Sequence, residues 1–173
     1  MPIRVERLDP SRHERAAFES GNDVLDRWLR VFAHQNDARL NTGRTFVAVE
    51  SPIGGLAISP RPILGYVTIA AHAVGLAEAR VVALAGSMPD PVPAVLIARL
   101  AVDRRRQGQQ LGGRLLQFAV ERILAVNREV AVTLVVADAI DDAAVGFYRH
   151  HGFIKVPGTT RLVARTGDLS TAF

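Results

Sequence analysis

The sequence predicts one α/β or α+β domain spanning residues 1–173, and three observations lead there. Its 173 residues, 49% of them hydrophobic, suffice for one core and fall short of two ordinary domains. The first half is rich in strand-forming runs, whereas the second alternates strand, helix, strand, helix and strand. Charged residues make up 22% of the chain, an ordinary globular share, and no apolar run is long enough to cross a bilayer.

Ile3 to Leu8 reads as a short opening strand. Between Gly21 and Gln35, the residues Leu25, Trp28, Leu29 and Phe32 fall at i, i+3, i+4 and i+7, which is one face of a helix. Asn22 is its expected cap, Arg27 and Arg30 lie on its outer side, and Trp28 belongs to the core. The runs Arg44 to Glu50 and Ile63 to Ala71 carry β-branched and aromatic residues and read as a hairpin, with Ser51 to Pro62 as its long tip. His72 to Asp90 is weakly patterned, with room for a short helix before the prolines at 89, 91 and 93.

Ala94 to Val102 is apolar apart from Arg99, as in a central strand covered on both faces. Leu111, Leu115, Ala119 and Ile123 then repeat at helical spacing, widened by Leu116 and Leu124, so a helix of about four to five turns is expected to start near Gly108. Ala131 to Ala137 reads as another buried strand and Asp141 to His150 as a short helix. Gly152 to Val156 and Arg161 to Arg165 close the fold, and the last eight or so residues read as a flexible tail.

Lys plus Arg exceed Asp plus Glu by 21 to 17, and Lys155 is the only lysine. Guanidinium forks bind phosphate bidentately, so this composition suits a polyanion such as RNA or a nucleotide. The coding preference of a genome produces the same bias, so charge alone names no function. With no cysteine, a thiolate nucleophile, a disulfide framework, a cysteine zinc site and an iron–sulfur cluster are excluded. His34, His150 and His151 lack metal-ligand spacing with acids, and no metal is expected. Met1 to Arg15 lack the apolar core of an export signal, from which a cytoplasmic address is expected, and no membrane partner.

The informative stretch is the junction from Leu100 to Leu116, where an apolar strand runs through Asp103-Arg104-Arg105-Arg106 into a glycine-bearing helix start. Unpaired N–H groups at a helix N-terminus point outward with partial positive charge, and glycines let a phosphate approach them. No Gly-Lys-Ser/Thr follows, and the spacing is not G-x-G-x-x-G, so ATP and NAD are poorly served. About thirty residues on, Asp141 to Phe153 forms a second element, a short helix with a tyrosine followed by Gly-Phe.

In this order and at this distance the two elements resemble the core of the GNAT family of N-acetyltransferases. That family carries R/Q-x-x-G-x-G/A for the acetyl-CoA pyrophosphate and, later, N-x-x-A-x-x-x-Y-x-x-x-G-F. Arg105 stands at the R/Q position and Gly108 at the first glycine, while Ala144, Tyr148, Gly152 and Phe153 match the second element. Gln110 replaces the second Gly/Ala, and Asp141 stands where Asn is usual. The resemblance implies a mixed, mostly antiparallel central sheet flanked by helices. It also implies acetyl-CoA contacts at Leu100, Ala101, Val102, Arg105, Gln107, Gly108, Gln110, Leu111, Gly112, Gly113 and Asp141.

Four further stretches extend the likeness over nearly the whole chain to one branch, the toxins of toxin–antitoxin pairs that acetylate aminoacyl-tRNA. They are F-x-S-G-N-x-x-L-D-x-W-L-R at Phe18 to Arg30, G-R-T-F-V-A-V at Gly43 to Val49, L-G-Y at Leu64 to Tyr66, and P-x-x-L-I-A-R-L-A-V-D-R-R at Pro93 to Arg105. This likeness implies aminoacyl-tRNA as substrate, a ribbon-helix-helix antitoxin as partner, and a homodimer or larger complex with that antitoxin.

Acetyl transfer to an amine needs a cradled thioester, a neutral nucleophile and an exit for the thiolate. Backbone groups of Leu100 and Val102 are expected to pair with the pantetheine arm. Tyr148 is the candidate general acid, since a phenol of pKa ~10 is protonated at neutral pH and stabilises a developing thiolate of pKa ~8.5. A lysine amine at ~10.4 needs a strong base, whereas an α-amine at ~8 is already about a tenth neutral at pH 7. The central strand carries no carboxylate or histidine, which favours an α-amine; Glu50, Glu78 or His72 could act as a base through water. Arg30, Arg39, Arg44, Arg104, Arg106 and Arg114 are the candidate phosphate track. Two other functions fit the same residues: acetylation of a small-molecule or protein amine, and a non-catalytic acyl-CoA-binding or antitoxin-binding module, which Gln110 suggests.

Overall fold

Strand β1 (Ile3–Arg7) starts the chain along one edge and pairs antiparallel with β3 (Arg44–Glu50), which pairs antiparallel with β5 (Gly65–Val74). The computed structural model describes residues 2–51, 59–84 and 86–170. Its main sheet has seven strands in the order β1-β3-β5-β6-β7-β9-β8, where β6 is Val92–Val102, β7 Leu134–Asp138, β8 Ile154–Lys155 and β9 Arg161–Arg165, and it is mixed and mostly antiparallel, as the fold class requires. A separate pair joins β2 (His13–Glu14) in parallel to β4 (Arg61–Pro62). Contacts group the chain into two compact units, 1–69 with 99–119, and 70–98 with 120–173.

In the first unit, helix α1 opens at Asp23–Arg27, and the Asn22 side chain accepts from the N–H groups of Val24 and Leu25, which makes Asn22 the cap. The helix runs on through wider π-helical turns at Trp28–Phe32 and Gln35–Arg39. In turns wider than α, residues four apart line up, so Leu25, Leu29, Ala33 and Asp37 are the buried row. Phe32, expected on that face, is rotated off it and is 39% exposed. Tyr66 anchors the core: its hydroxyl donates to the Leu25 carbonyl at 2.9 Å, Phe18 meets it edge-on and Trp28 stacks on it.

The expected hairpin tip is partly different. Residues 52–58 lie outside the described residues, but Arg61 is buried, with its guanidinium on Glu6 of β1. His13 donates to the same carboxylate from Nε2 at 2.7 Å and accepts the Asp9 N–H at Nδ1. A buried cation requires such a partner, and here it holds β4 against β2.

Strand β6 (Val92–Val102) ends in this unit, followed by a 3₁₀ turn at Arg104–Arg106 and helix α3 (Leu111–Val126). The expected cover of β6 on both faces is incomplete, since only Val92, Ala94, Ile97 and Ala101 of it are buried. Helix α3 starts at Leu111 and not at Gly108, because Gly108 and Gln110 have φ of +73° and +61°, outside any right-handed helix. Gly65 passes so close to β6 that an added Cβ would lie 3.0 Å from the Ala101 carbonyl oxygen and 2.8 Å from Leu115 Cδ1.

In the second unit β6 pairs in parallel with β7 (Leu134–Asp138), placing Ala94 beside Leu134 and Ile97 beside Ala137. Strand β9 (Arg161–Arg165) lies antiparallel to β7, and the two-residue β8 (Ile154–Lys155) pairs with β9 at the sheet edge. Val74, Val92, Leu134, Val136 and Val163 form the core beside the short α2 (Leu76–Ala79). Helix α4 (Asp142–His150) has Asp141 as its cap. The expected tail begins as a helix instead: α5 (Thr166–Leu169) buries Leu169, and the Thr166 hydroxyl donates to the Val132 carbonyl.

Candidate functional site

One candidate element is the β6–α3 junction. Three consecutive arginines cannot be buried, so the chain turns outward after Val102, and Asp103 anchors the turn. Its carboxylate is 1% exposed and accepts from Arg105 Nε at 2.7 Å, Arg105 Nη2 at 2.9 Å, the Arg105 N–H at 3.0 Å and the Glu19 N–H at 3.3 Å. Burial alone would raise the Asp103 pKa, but these hydrogen bonds outweigh it and hold the carboxyl below its ordinary range.

Beyond the turn, the N–H groups of Gly108, Gln109, Gln110, Leu111, Gly112 and Gly113 meet no acceptor among the described residues; the first helical bond runs from Arg114 N–H to the Gln110 carbonyl at 3.2 Å. Left-handed backbone at Gly108 and Gln110 shapes this row, and a Cβ built on Gly108 would meet nothing within 4 Å. The Gln110 side chain is exposed, and its backbone takes the left-handed conformation in which glycine is the usual residue. A row of N–H groups without an acceptor among the described residues, opening at Gly108 beside free space, suits a pyrophosphate, which carries several acceptor oxygens and negative charge.

Two of the predicted contact residues use their side chains to hold the loop. Arg105 is fastened to Asp103, and Gln107 donates from Nε2 to the carbonyls of Ser20 at 2.8 Å and Val102 at 3.0 Å. Val102 thus shares its carbonyl with Gln107, while Leu100 and Ala101 precede it on β6. The contacts sequence reasoning missed come from the loop before α1. Glu19 bonds Arg104 at 2.9 Å, the Arg104 N–H donates to the Glu19 carbonyl, and Gly21 lies against the Arg104 guanidinium. Ser20 is held in turn by buried Asp26, which accepts its N–H at 2.9 Å. The signal was the F-x-S-G-N motif, which buttresses D-R-R-R-Q.

A second candidate element belongs to the other unit. Asp141 accepts the Ala144 N–H at Oδ1 at 2.7 Å and so caps α4. Tyr148 is 5% exposed, wedged edge-on between Phe147 and Phe153. Its hydroxyl makes no hydrogen bond to another described residue. Burial pushes its pKa well up, and the Asp138 carboxylate adds to the rise, so the phenol stays protonated across the physiological range.

The base candidates differ. Glu50 is paired with Arg106, and Glu78 contacts Arg161 at 3.4 Å, whereas His72 Nε2 is buried with no partner among the described residues. Most of the expected phosphate track is engaged: Arg30 on the Phe18 carbonyl, Arg44 on Asp37 and Asn41, Arg104 on Glu19, Arg106 on Glu50, and Arg114 on the Ile3 carbonyl at 3.5 Å. Arg39 alone of the six has no partner among the described residues.

A mixed sheet whose long strand feeds a row of helix-start amides defines an anion-binding α/β class of protein. The chain belongs to the acetyltransferase (GNAT) domain family, whose model matches residues 41–155. A curated relative from Mycobacterium tuberculosis, the tRNA-acetylating toxin, is 34% identical over 139 residues, covering 79% of this chain and 76% of the relative. Two solved structures share the fold. One is the toxin AtaT complexed with acetyl-methionyl-tRNAfMet, with a TM-score of 0.82, 21% identity and 98% of each chain covered. The other is a tyrosine-to-phenylalanine variant of AtaT bound to the C-terminus of the antitoxin AtaR and acetyl-CoA, with a TM-score of 0.77, 22% identity and 98% and 96% of the two chains covered. No helix among the described residues is long and apolar enough to cross a membrane.

Proposed function

We propose that this acetyltransferase moves an acetyl group from acetyl-CoA to the α-amino group of aminoacyl-tRNA and so blocks translation, as the toxin of a toxin–antitoxin pair. The observation that carries the reading is the row of six unaccepted N–H groups from Gly108 to Gly113, held open by Asp103 and Gln107. The 34% identical relative, a tRNA-acetylating toxin, supports the choice of acceptor. The chain acts as a single domain in the cytoplasm, where charged tRNA is found, and a ribbon-helix-helix antitoxin binds it in a homodimer or larger complex; the toxin AtaT bound to the C-terminus of the antitoxin AtaR supports an antitoxin as partner.

In this reading the amides of Gly108, Gln110, Leu111, Gly112 and Gly113 hold the coenzyme pyrophosphate. Backbone groups of Leu100, Ala101 and Val102 align the pantetheine arm and polarise the thioester carbonyl. The neutral α-amine attacks that carbonyl, the carbon–sulfur bond breaks, Tyr148 gives its proton to the departing thiolate, and the proton shed by the acylated nitrogen passes to water, from which the phenol is reprotonated. The acceptor needs no side-chain base, because an ester-activated α-amine is partly neutral at pH 7. Asp141 positions α4, and through it Tyr148.

Incubating the protein with charged tRNA and labelled acetyl-CoA tests this directly. Label is expected on the aminoacyl group. An enzyme for small-molecule or protein amines leaves the tRNA unlabelled, and a non-catalytic module binds coenzyme without transfer.

A further inference from the structure

Most cations of this protein are already neutralised or engaged. Arg4, Arg12 and Arg61 meet Glu6; Arg7 and Arg44 meet Asp37; Arg161 grips Asp138, and Arg165 grips Asp168. Among the described residues Arg39, Arg80, Arg128, Arg149 and Lys155 have no carboxylate, carbonyl or aromatic partner. Arg80 lines a surface cavity of about 410 Å³ with no second cation, whereas Arg149 and Lys155 together line an open one of about 560 Å³ with Gly152, Phe153 and Ile154.

The local structure brings them together. Arg149 occupies the last turn of α4, the chain reverses at Gly152 with φ of +87°, and Lys155 follows on the two-residue edge strand β8. Two like charges facing one cavity repel each other, and no carboxylate lines it to relieve them. A bound anion would. Ile154, 47% exposed in the same cavity, offers an apolar surface to the sugar or base beside such an anion.

We propose that Arg149 and Lys155 form a phosphate-binding subsite that takes a backbone phosphodiester near the single-stranded 3′ end of the tRNA substrate. The inference rests on the function proposed above and extends it. Arg149 directly follows Tyr148 on α4, and the reacting aminoacyl ester is carried on the terminal nucleotide, so the phosphates nearest that ester pass close to the tyrosine.

The test measures binding and not turnover. Equilibrium binding of uncharged tRNA is followed by fluorescence anisotropy from about 50 to 200 mM salt for the wild type, the Arg149→Gln/Lys155→Gln variant and the charge-keeping Arg149→Lys/Lys155→Arg variant. Losing two single-strand phosphate contacts, at about 0.7 each, is expected to flatten the log–log salt slope by about 1.4, or about sevenfold less affinity lost over that range. The charge-keeping variant is expected to retain the wild-type slope, which separates charge from folding. An unchanged slope in the double glutamine variant overturns the subsite. Coenzyme A also carries a phosphomonoester, so its affinity is measured against 3′-dephospho-coenzyme A. A loss confined to the phosphorylated form assigns both cations to the coenzyme and overturns the RNA assignment. A flattened tRNA slope supports the subsite whether or not acetyl is transferred, and absent transfer then counts against the proposed function alone.

Discussion

The side-chain amide of Gln107 donates to the carbonyl of Ser20 at 2.8 Å, binding the loop that opens α3 to the segment that opens α1. The same nitrogen reaches the Val102 carbonyl at 3.0 Å, so one side chain closes the turn at both ends. A row of outward amides binds an anion well only if the backbone is fixed beforehand, because ordering it on binding subtracts from affinity.

Gln107→Ala removes both bonds while leaving every amide of the row in place. Each is worth about 1 kcal/mol or less at this exposed position. Unfolding free energy in urea is expected to fall by about 1 kcal/mol, and the coenzyme Kd, by calorimetry, to rise about five- to tenfold. Gln107→Glu sets a carboxylate against two carbonyls and is expected to weaken binding further.

Asp103 makes the same loop sensitive to acid. Its folded pKa lies below the unfolded value of about 3.9, so the ionised carboxylate contributes stability that is complete above pH 4 and is lost as pH falls through the folded value. The wild type is expected to lose unfolding free energy below pH 4 more steeply than Asp103→Asn, which is less stable at pH 7 by about 2–3 kcal/mol. Parallel pH curves for the two proteins in chemical denaturation would show that the carboxylate is not what titrates.

Tyr148→Phe keeps the ring between Phe147 and Phe153 and removes only the hydroxyl. That hydroxyl bonds to no other described residue, so stability should stay within about 0.5 kcal/mol and the coenzyme Kd should not move. Loss of the general acid is expected to lower kcat for acetyl transfer by about 10²-fold or more. An equal kcat for both proteins in a labelled-acetyl assay removes Tyr148 from the reaction.

What was legible in the sequence followed from local pattern. The Asn22 cap and the basic turn between β6 and α3 depend on residues within a few positions of one another, and both stand as the pattern predicts, though α3 starts at Leu111 and Asp141, expected only as a coenzyme contact, caps α4. The buttress was not legible, because it joins Glu19 to Asp103 and Ser20 to Gln107 across more than eighty residues, and no local periodicity reports such a pairing. Arg61 sits among prolines and reads as a loop, yet it is buried because Glu6, on a distant strand, neutralises it. Phe32 was misplaced because a π-helical turn changes the residue spacing of the buried row, and composition does not distinguish that turn from α-helix. The open amides could be placed on the chain, but their freedom depended on where every neighbouring carbonyl pointed.

Gln110 takes φ of +61°, the left-handed region that costs a non-glycine residue about 1–3 kcal/mol. The loop takes that conformation at this position, where Leu111 starts the helix immediately afterwards with no acceptor for its N–H among the described residues. Gln110→Gly relieves the strain, and the added freedom of the unfolded chain cancels about 0.5–1 kcal/mol of the gain. A net stabilisation of about 1 kcal/mol is expected, which for a chain of this size raises Tm by about 2–4 °C. Because the glutamine side chain is exposed, its removal should leave the coenzyme Kd within about twofold. A Kd that tightens tenfold or more in Gln110→Gly would mean that the side chain obstructs the amide row, and that its departure from the family pattern weakens coenzyme binding.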